Sequence, residues 1–228
     1  MAISLGKPRQ VEYKQRMVST GIYKEPVSGL VHATRMGLDG DIHVDLENHG
    51  GEDKAIYAYS VDNYRFWENQ LGVSGFPYGQ FGENFSVSGL SDDEVHIGDV
   101  YRIGATFCQV TQPRVPCFKL GIKMGNPGFV AIFARSGRVG FYLRVLEEGD
   151  VRIGDPINCV DRDSQGLNLR EAMQARFPGP QQRSIIETAL RIPALSSAWR
   201  DDLLHRLSVL GLTQACAGIG SIDSGGTC

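Results

Sequence analysis

The stretch Pro113-Arg-Val-Pro-Cys-Phe-Lys-Leu120 places a single thiol, Cys117, directly after one proline, with Arg114 three residues before it. Prolines at 113 and 116 favour an extended, polyproline-like path that repeats every three residues. On such a path Arg114 and Cys117 share a side, so a guanidinium would face a thiol. A neighbouring cation favours thiolate over thiol, and Lys119 adds a second cation nearby. The stiff backbone keeps the entropy cost of holding the pair small. A buried structural cysteine is the competing reading, and the local sequence leaves both open. Cys108 and Cys159 sit in apolar, strand-like contexts and read as core residues, whereas Cys216 and Cys228 fall in or near a loose tail.

Two further stretches carry polar groups at turns. In His49-Gly50-Gly51-Glu52-Asp53-Lys54 a Gly-Gly turn can aim successive N–H groups at one anion, and Lys54 can add charge to it. The spacing is not that of a Walker loop, and a plain surface turn is the alternative. In Gly82-Glu83-Asn84 a carboxylate and an amide open a strand, although both are poor strand formers. Such a pair suits a polar ring edge by accepting and donating hydrogen bonds, and an ordinary turn is the plainer reading. No Cys or His pair shows structural zinc spacing, and serine-hydrolase and kinase motifs are absent.

The elements that must position these groups are mostly strands. "DKAIYAYS" and "ATFCQVTQP" read as strands entering or leaving the polar turns, and "GFYLRVLEEG" as another. "VDNYRFWENQLG" reads as a short helix stopped by Gly72. The echo of Ile-Gly-Asp in "VHIGDVYRIG" and "VRIGDPINCV" is read as two hairpin turns of one kind rather than a duplication. After the polar linker "DRDSQG" the pattern turns helical. "NLREAMQARF" stops at Pro178, "QQRSIIETALR" aligns Ile185, Ile186, Ala189 and Leu190, and "SSAWRDDLLHRLSVLGL" aligns Trp199, Leu203, Leu207 and Leu210. Ser196 or Ser197 is its cap. The last helix has no basic reading face, since Asp201 and Asp202 offset its arginines.

The chain has 228 residues and a net charge of -3, which argues against a broad duplex-binding surface. No stretch approaches the ~18 apolar residues of a membrane helix, and the N-terminus does not resemble a signal peptide. Five dispersed cysteines without a CxxC pair read as reduced thiols, so a cytoplasmic protein is expected. The expected fold is mainly β (α+β), because 28 glycines favour a turn-rich β architecture over most of the chain.

Taken in order, "STGIYKEPV", "GLDGD", "HGGEDKAIYAY", "FGENF", "VTQPRVPCFKL" and "GFYLRVL" resemble the MOSC domains, named after the C-terminal part of molybdenum-cofactor sulfurases. Six pieces in one order are a specific signal, whereas "HGG" alone is weak. The helices after residue 166 resemble the three-helix extension of the YiiM-like branch. The resemblance implies a barrel-like β domain over residues 1–162 and a three-helix appendage over 163–212, and the Gly- and Ser-rich composition of the end reads as a disordered tail over 213–228. It implies a molybdenum-pterin cofactor with Cys117 as the key thiol and molybdenum ligand. Arg114, Lys54, Gly50, Gly51, Lys24, Arg35, Glu83 and Asn84 are the residues expected to hold the cofactor. His49 is expected either to donate the proton, since its ordinary pKa lies near neutrality, or to position the cofactor. The implied activity is reduction of N-hydroxylated compounds, such as 6-hydroxylaminopurine to adenine. The partners would be a small N-hydroxylated substrate and an electron-donor protein, with no nucleic acid and no membrane, in a monomer or homodimer. The alternatives are a sulfurtransferase carrying a persulfide on Cys117 and a non-enzymatic cofactor carrier. The end after Leu210 lacks basic residues and departs from the expected closing segment.

Overall fold

Period-two burial builds the sheet that carries the cysteine. In the computed structural model, which describes residues 1–42, 44 and 50–219, the strand Thr106–Pro113 buries Thr106, Cys108 and Val110 on one face. Its neighbour Phe141–Glu147 does the same with Phe141, Leu143 and Val145. In chain order the strands are β1 (Ala2–Gly6), β2 (Arg9–Tyr13), β3 (Arg16–Thr20), β4 (Lys24–Pro26), β5 (Leu30–Thr34), β6 (Gly37–Leu38), β7 (Ile56–Ser60), β8 (Phe85–Val87), β9 (Val100–Ile103), β10 (Thr106–Pro113), β11 (Phe141–Glu147), β12 (Gly149–Arg152) and β13 (Ile157–Asp161). The helices are α1 (Val61–Leu71), α2 (Phe118–Lys123), α3 (Phe129–Ser136), α4 (Leu169–Gln174), α5 (Gln182–Leu190) and α6 (Ser197–Ile219).

Eight strands form one sheet in the order β13-β9-β10-β11-β7-β8-β1-β4. Its pairs are antiparallel except β7 with β8, which are joined by the α1 crossover. β12, β5 and β6 form a second sheet, and among the described residues β2 and β3 pair only with each other. The mixed, strand-rich fold matches the expected class. The long sheet ends at β13 and β4, which are not paired together, so it does not close into a continuous barrel.

β7 is buried on both faces, as its Ile-Tyr-Ala-Tyr-Ser run predicts. Ser60 caps α1 by accepting from Asp62 N, and Gly72 ends it in the left-handed region at φ 65°. Trp67 on this helix packs against Phe129 and Phe133, and its Nε1 donates to Tyr59 Oη at 2.8 Å. Between β10 and β11 the register slips between Val110 and Gln112. The bulge re-aims the end of β10, and Thr111 Oγ1 at the bulge donates to Asp53 O at 2.6 Å. Arg114 N then donates to Gly140 O at 3.0 Å, which fixes where the proline-flanked segment leaves the sheet.

The helices after residue 166 form as expected. Asn168 caps α4 through Glu171 N, and Ser196 Oγ caps α6 by accepting from Trp199 N at 3.1 Å. Leu169, Met173, Ile186, Ala189, Trp199 and Leu203 belong to the same buried cluster as the sheet. α6 runs on to Ile219, into the segment read as a disordered tail, because Gln214, Ala215 and Ala217 are good helix formers. Residues 220–228 lie outside the described residues.

Two other expectations change. Cys159 is exposed rather than core, because β13 is an edge strand with only β9 beside it. The two Gly-Asp turns do take positive φ at Gly98 (99°) and Gly154 (88°). Neither joins two paired strands; the β9–β10 hairpin turns instead at Gly104-Ala105.

Candidate active site

Beside the sheet lies a cleft lined by Thr20, Gly21, Ile22, Lys24, Ile42, Val44, Lys54, Tyr57, Gly82, Asn84, Arg114, Cys117, Lys119 and Tyr142. Arg114 and Cys117 both face it, as the proline spacing implied. Cys117 is extended (φ -118°, ψ 173°) at the start of α2 and is half-buried. The walls come from distant chain segments: β3 supplies Thr20, β4 Lys24, β7 Tyr57, β11 Tyr142, and the turn Glu52–Lys54 supplies Lys54. Gly82 (φ 87°) lets Ile22 come close, since a Cβ there would sit 2.7 Å from Ile22 Cγ1.

Arg114 is 5% exposed, and its Nη1 has no hydrogen-bond partner among the described residues. Its Cζ lies 4.9 Å from the Tyr57 ring centroid and 5.5 Å from that of Phe133. Burial opposes its charge, but Tyr57, Tyr142 and Cys117 outweigh this and hold its pKa above the ordinary value. Burial likewise keeps Tyr57 and Tyr142 protonated far into the alkaline range, against the pull of Arg114. A buried guanidinium with an unused N–H is costly unless an anion completes it. Lys54 and Lys119 line the same space, and no Asp or Glu does so among the described residues.

Other expected residues have different tasks. Lys24 lines the cleft, but its Nζ is bound 2.6 Å from both carboxylate oxygens of Asp41. Burial lowers its pKa, and Asp41 only partly offsets this. Asn84 also lines the cleft with a committed amide: Oδ1 accepts from Tyr57 N at 3.1 Å and Nδ2 donates to Asp41 Oδ2 at 2.8 Å. Glu83 is fully buried and does not line the cleft. It accepts from the Tyr64 hydroxyl, from Gly79 N at 2.8 Å, from Phe81 N at 3.1 Å and from Ser86 Oγ at 2.8 Å. Its carboxylate is therefore consumed in shaping the 79–82 loop. Arg35 is exposed on the β5–β6 turn, where its N–H meets Glu148 at 2.9 Å, away from the cleft. Gly50 and Gly51 do not line the cleft; Gly51 (φ 85°) starts the turn that ends in Lys54. His49 lies outside the described residues.

Sequence reasoning missed Tyr57, Tyr142 and Lys123. The alternation of β11 was a usable signal, since burying Phe141, Leu143 and Val145 leaves Tyr142 on the opposite face. Lys123 Nζ donates to Ile22 O at 3.0 Å and Gly79 O at 2.6 Å, tying two cleft-forming loops together. Burial pulls its pKa down to about 8, with Arg114 and Lys24 lowering it further and Glu83 opposing. Between that value and the ordinary lysine value the unfolded chain holds one more proton than the folded chain, so stability rises with pH there. Relative to Lys123→Met, the wild type should gain on the order of 2 kcal/mol between pH 8 and 10.5, read by urea unfolding. Parallel curves would show that Lys123 titrates normally.

Among the described residues, no three His, Cys, Asp or Glu side chains converge as a metal site. A metal at Cys117 would have to arrive on a group of its own. Among the same residues, no helix is long and apolar enough to cross a membrane.

Comparison with known proteins decides the family. The MOSC domain model matches residues 45–158, a span that holds Lys54, Arg114, Cys117 and Tyr142. This chain belongs to the MOSC domain family. It is 38% identical to YflK of Bacillus subtilis over 206 residues, covering 90% of this chain and 93% of that protein. The crystal structure of YiiM from Geobacillus stearothermophilus superposes with a TM-score of 0.76 at 34% identity, covering 90% of this chain and 97% of that one. This places the chain in the YiiM-like branch. A Gibberella moniliformis protein named a reductase is 34% identical over 165 residues, which make up 70% of this chain but 29% of that longer protein. MOSC domains are associated with molybdenum-cofactor binding. The residues of this cleft fit such a group: an orphaned, buried Arg114 Nη1 and two lysines suit its anionic part, and a thiol suits a soft metal.

Proposed function

We propose that this protein is a molybdenum-cofactor-dependent reductase that converts small N-hydroxylated compounds, such as 6-hydroxylaminopurine, to the corresponding amines. The observation that carries the reading is the buried guanidinium of Arg114 lining the same cleft as Cys117, with Lys54 and Lys119 beside it. The name of the fungal relative supports reductive chemistry. Cys117 would ligate the metal as its thiolate, while Arg114, Lys54 and Lys119 would take the anionic part of the pterin. When bound, the cofactor supplies the two-electron redox chemistry.

The overall change is R–NHOH plus two electrons and two protons giving R–NH2 and water. Electrons would come from a separate donor protein. Arg114 contributes a fixed positive charge in a half-enclosed cleft, where it is worth more than in water. Tyr142 and Tyr57 stay protonated; Tyr57 is committed to Val139 O at 2.8 Å, which leaves Tyr142 as the phenol able to donate at the cleft. Ile22, Ile42 and Val44 add apolar lining, which suits a heterocyclic substrate. His49, outside the described residues, is the proton donor proposed by the sequence.

The test is purification from a host that makes the cofactor. About one molybdenum per chain is expected, with conversion of 6-hydroxylaminopurine to adenine when reduced methyl viologen supplies electrons. Bound molybdenum without conversion would leave a cofactor carrier. Molybdenum-free protein that accepts labelled sulfur on Cys117 would make it a sulfur-transfer protein instead.

A further inference from the structure

The β2–β3 hairpin is not part of either larger sheet, and it stands at the edge of the cleft. Its second strand ends in Thr20, a cleft residue, and continues into Gly21 and Ile22, which also line it. At the other end, Tyr13 stacks on Phe118, the residue after Cys117, with ring centroids 5.1 Å apart. Lys14 (φ 51°) and Gln15 (φ 62°) form the tight turn at the tip. The hairpin therefore reaches from the cleft wall to the cysteine segment.

Its surface chemistry runs against the rest of the chain. Lys7, Arg9, Lys14 and Arg16 are exposed, with Glu12 the one acid between them, whereas the whole protein carries -3. Exposed Met17 and Phe118 add apolar area beside these cations. A local cationic surface at the mouth of an otherwise acidic molecule steers acidic partners by long-range attraction. The proposed reaction needs two electrons per turnover. Short-lived electron-transfer complexes bury little area and depend on charge complementarity.

We propose that the β2–β3 hairpin, with Lys14 and Arg16 at its tip, is the docking surface for an acidic redox protein of the flavodoxin or ferredoxin kind. This rests on the reductase reading. The donor's acidic face would sit over the hairpin tip and Phe118, bringing its cofactor to the mouth of the cleft.

The probe is a flavodoxin, with the full-length, cofactor-loaded protein and its Lys14→Glu/Arg16→Glu variant. Binding is measured by calorimetry at low salt, and turnover is measured twice, with reduced flavodoxin and with reduced methyl viologen. The double reversal should weaken flavodoxin binding and flavodoxin-driven turnover about tenfold or more, and leave viologen-driven turnover unchanged. Glu12→Lys should strengthen binding about threefold, and salt should erase both differences. Equal flavodoxin binding by all three proteins, or equal loss of viologen-driven turnover in the reversed variant, overturns the proposal. So does a hairpin-dependent dimer by sedimentation, or hairpin-dependent oligonucleotide binding, with no affinity for flavodoxin. If the wild type shows no viologen-driven turnover, the reductase reading fails by itself, and the calorimetry still decides the docking surface.

Discussion

Cys117→Ser will lower molybdenum content from about one per chain to near zero and reduce 6-hydroxylaminopurine turnover by at least about 100-fold. A serine hydroxyl is nearly isosteric with the thiol, but at neutral pH it is neither anionic nor soft, so it should not ligate the metal. Stability should change by less than about 1 kcal/mol, because Cys117 is half-buried at a helix start and makes no side-chain cap. The pairing of large functional loss with unchanged unfolding separates this residue from Cys108. Burial pushes the Cys108 thiol up to about 12, so Cys108→Ser should disturb the core and leave metal binding alone. Metal analysis and urea unfolding of the two variants decide the matter; full molybdenum occupancy in Cys117→Ser would remove Cys117 from the metal.

Arg114→Met will move stability and binding in opposite directions. In the cofactor-free protein Arg114 is a buried charge with one donor unused and no carboxylate lining its cleft among the described residues. Replacing such a group by an apolar side chain of similar volume is neutral or stabilising, here by about 0–2 kcal/mol. The same change should weaken retention of the cofactor about 10–100-fold, because the anion loses a desolvated guanidinium. It should also slow alkylation of Cys117 at neutral pH, since the neighbouring positive charge that favours thiolate is gone. Thermal unfolding of apo-protein, molybdenum content after dialysis, and the iodoacetamide rate give three readouts. A destabilised variant with unchanged cofactor retention would make Arg114 a structural residue.

The sequence made the central pair legible because proline restricts the backbone so strongly. Between Pro113 and Cys117 few paths are open, and on the favoured one Arg114 and Cys117 face the same way. Strand-forming runs were equally readable, since alternation in β10 and β11 is set by neighbours two residues apart. Glu83 was not readable. Its four donors come from Tyr64, Gly79, Phe81 and Ser86, and only the folded loop shows that they saturate the carboxylate. Lys24 and Asn84 were assigned to the site, but Asp41, more than a dozen residues from either, engages both in its wall. Tyr57 needed the sheet order, because nothing local in a fully buried strand says which of its faces meets a cleft.

The attachment of the C-terminal helices has one more consequence. Asp53, beside Lys54, accepts from Thr111 through its carbonyl at 2.6 Å and from Ser197 N through its carboxylate at 3.0 Å. Arg144 holds the other carboxylate oxygen. Burial alone would raise this carboxyl, yet Arg144 and the Ser197 N–H hold it below the usual range. One residue, through its carbonyl and its carboxylate, thus ties together a strand bulge, a neighbouring strand and the first turn of α6. The helices are a brace for the cleft wall rather than a detachable module. In a relative that lacked them, the loop bearing the Lys54 equivalent would need another anchor.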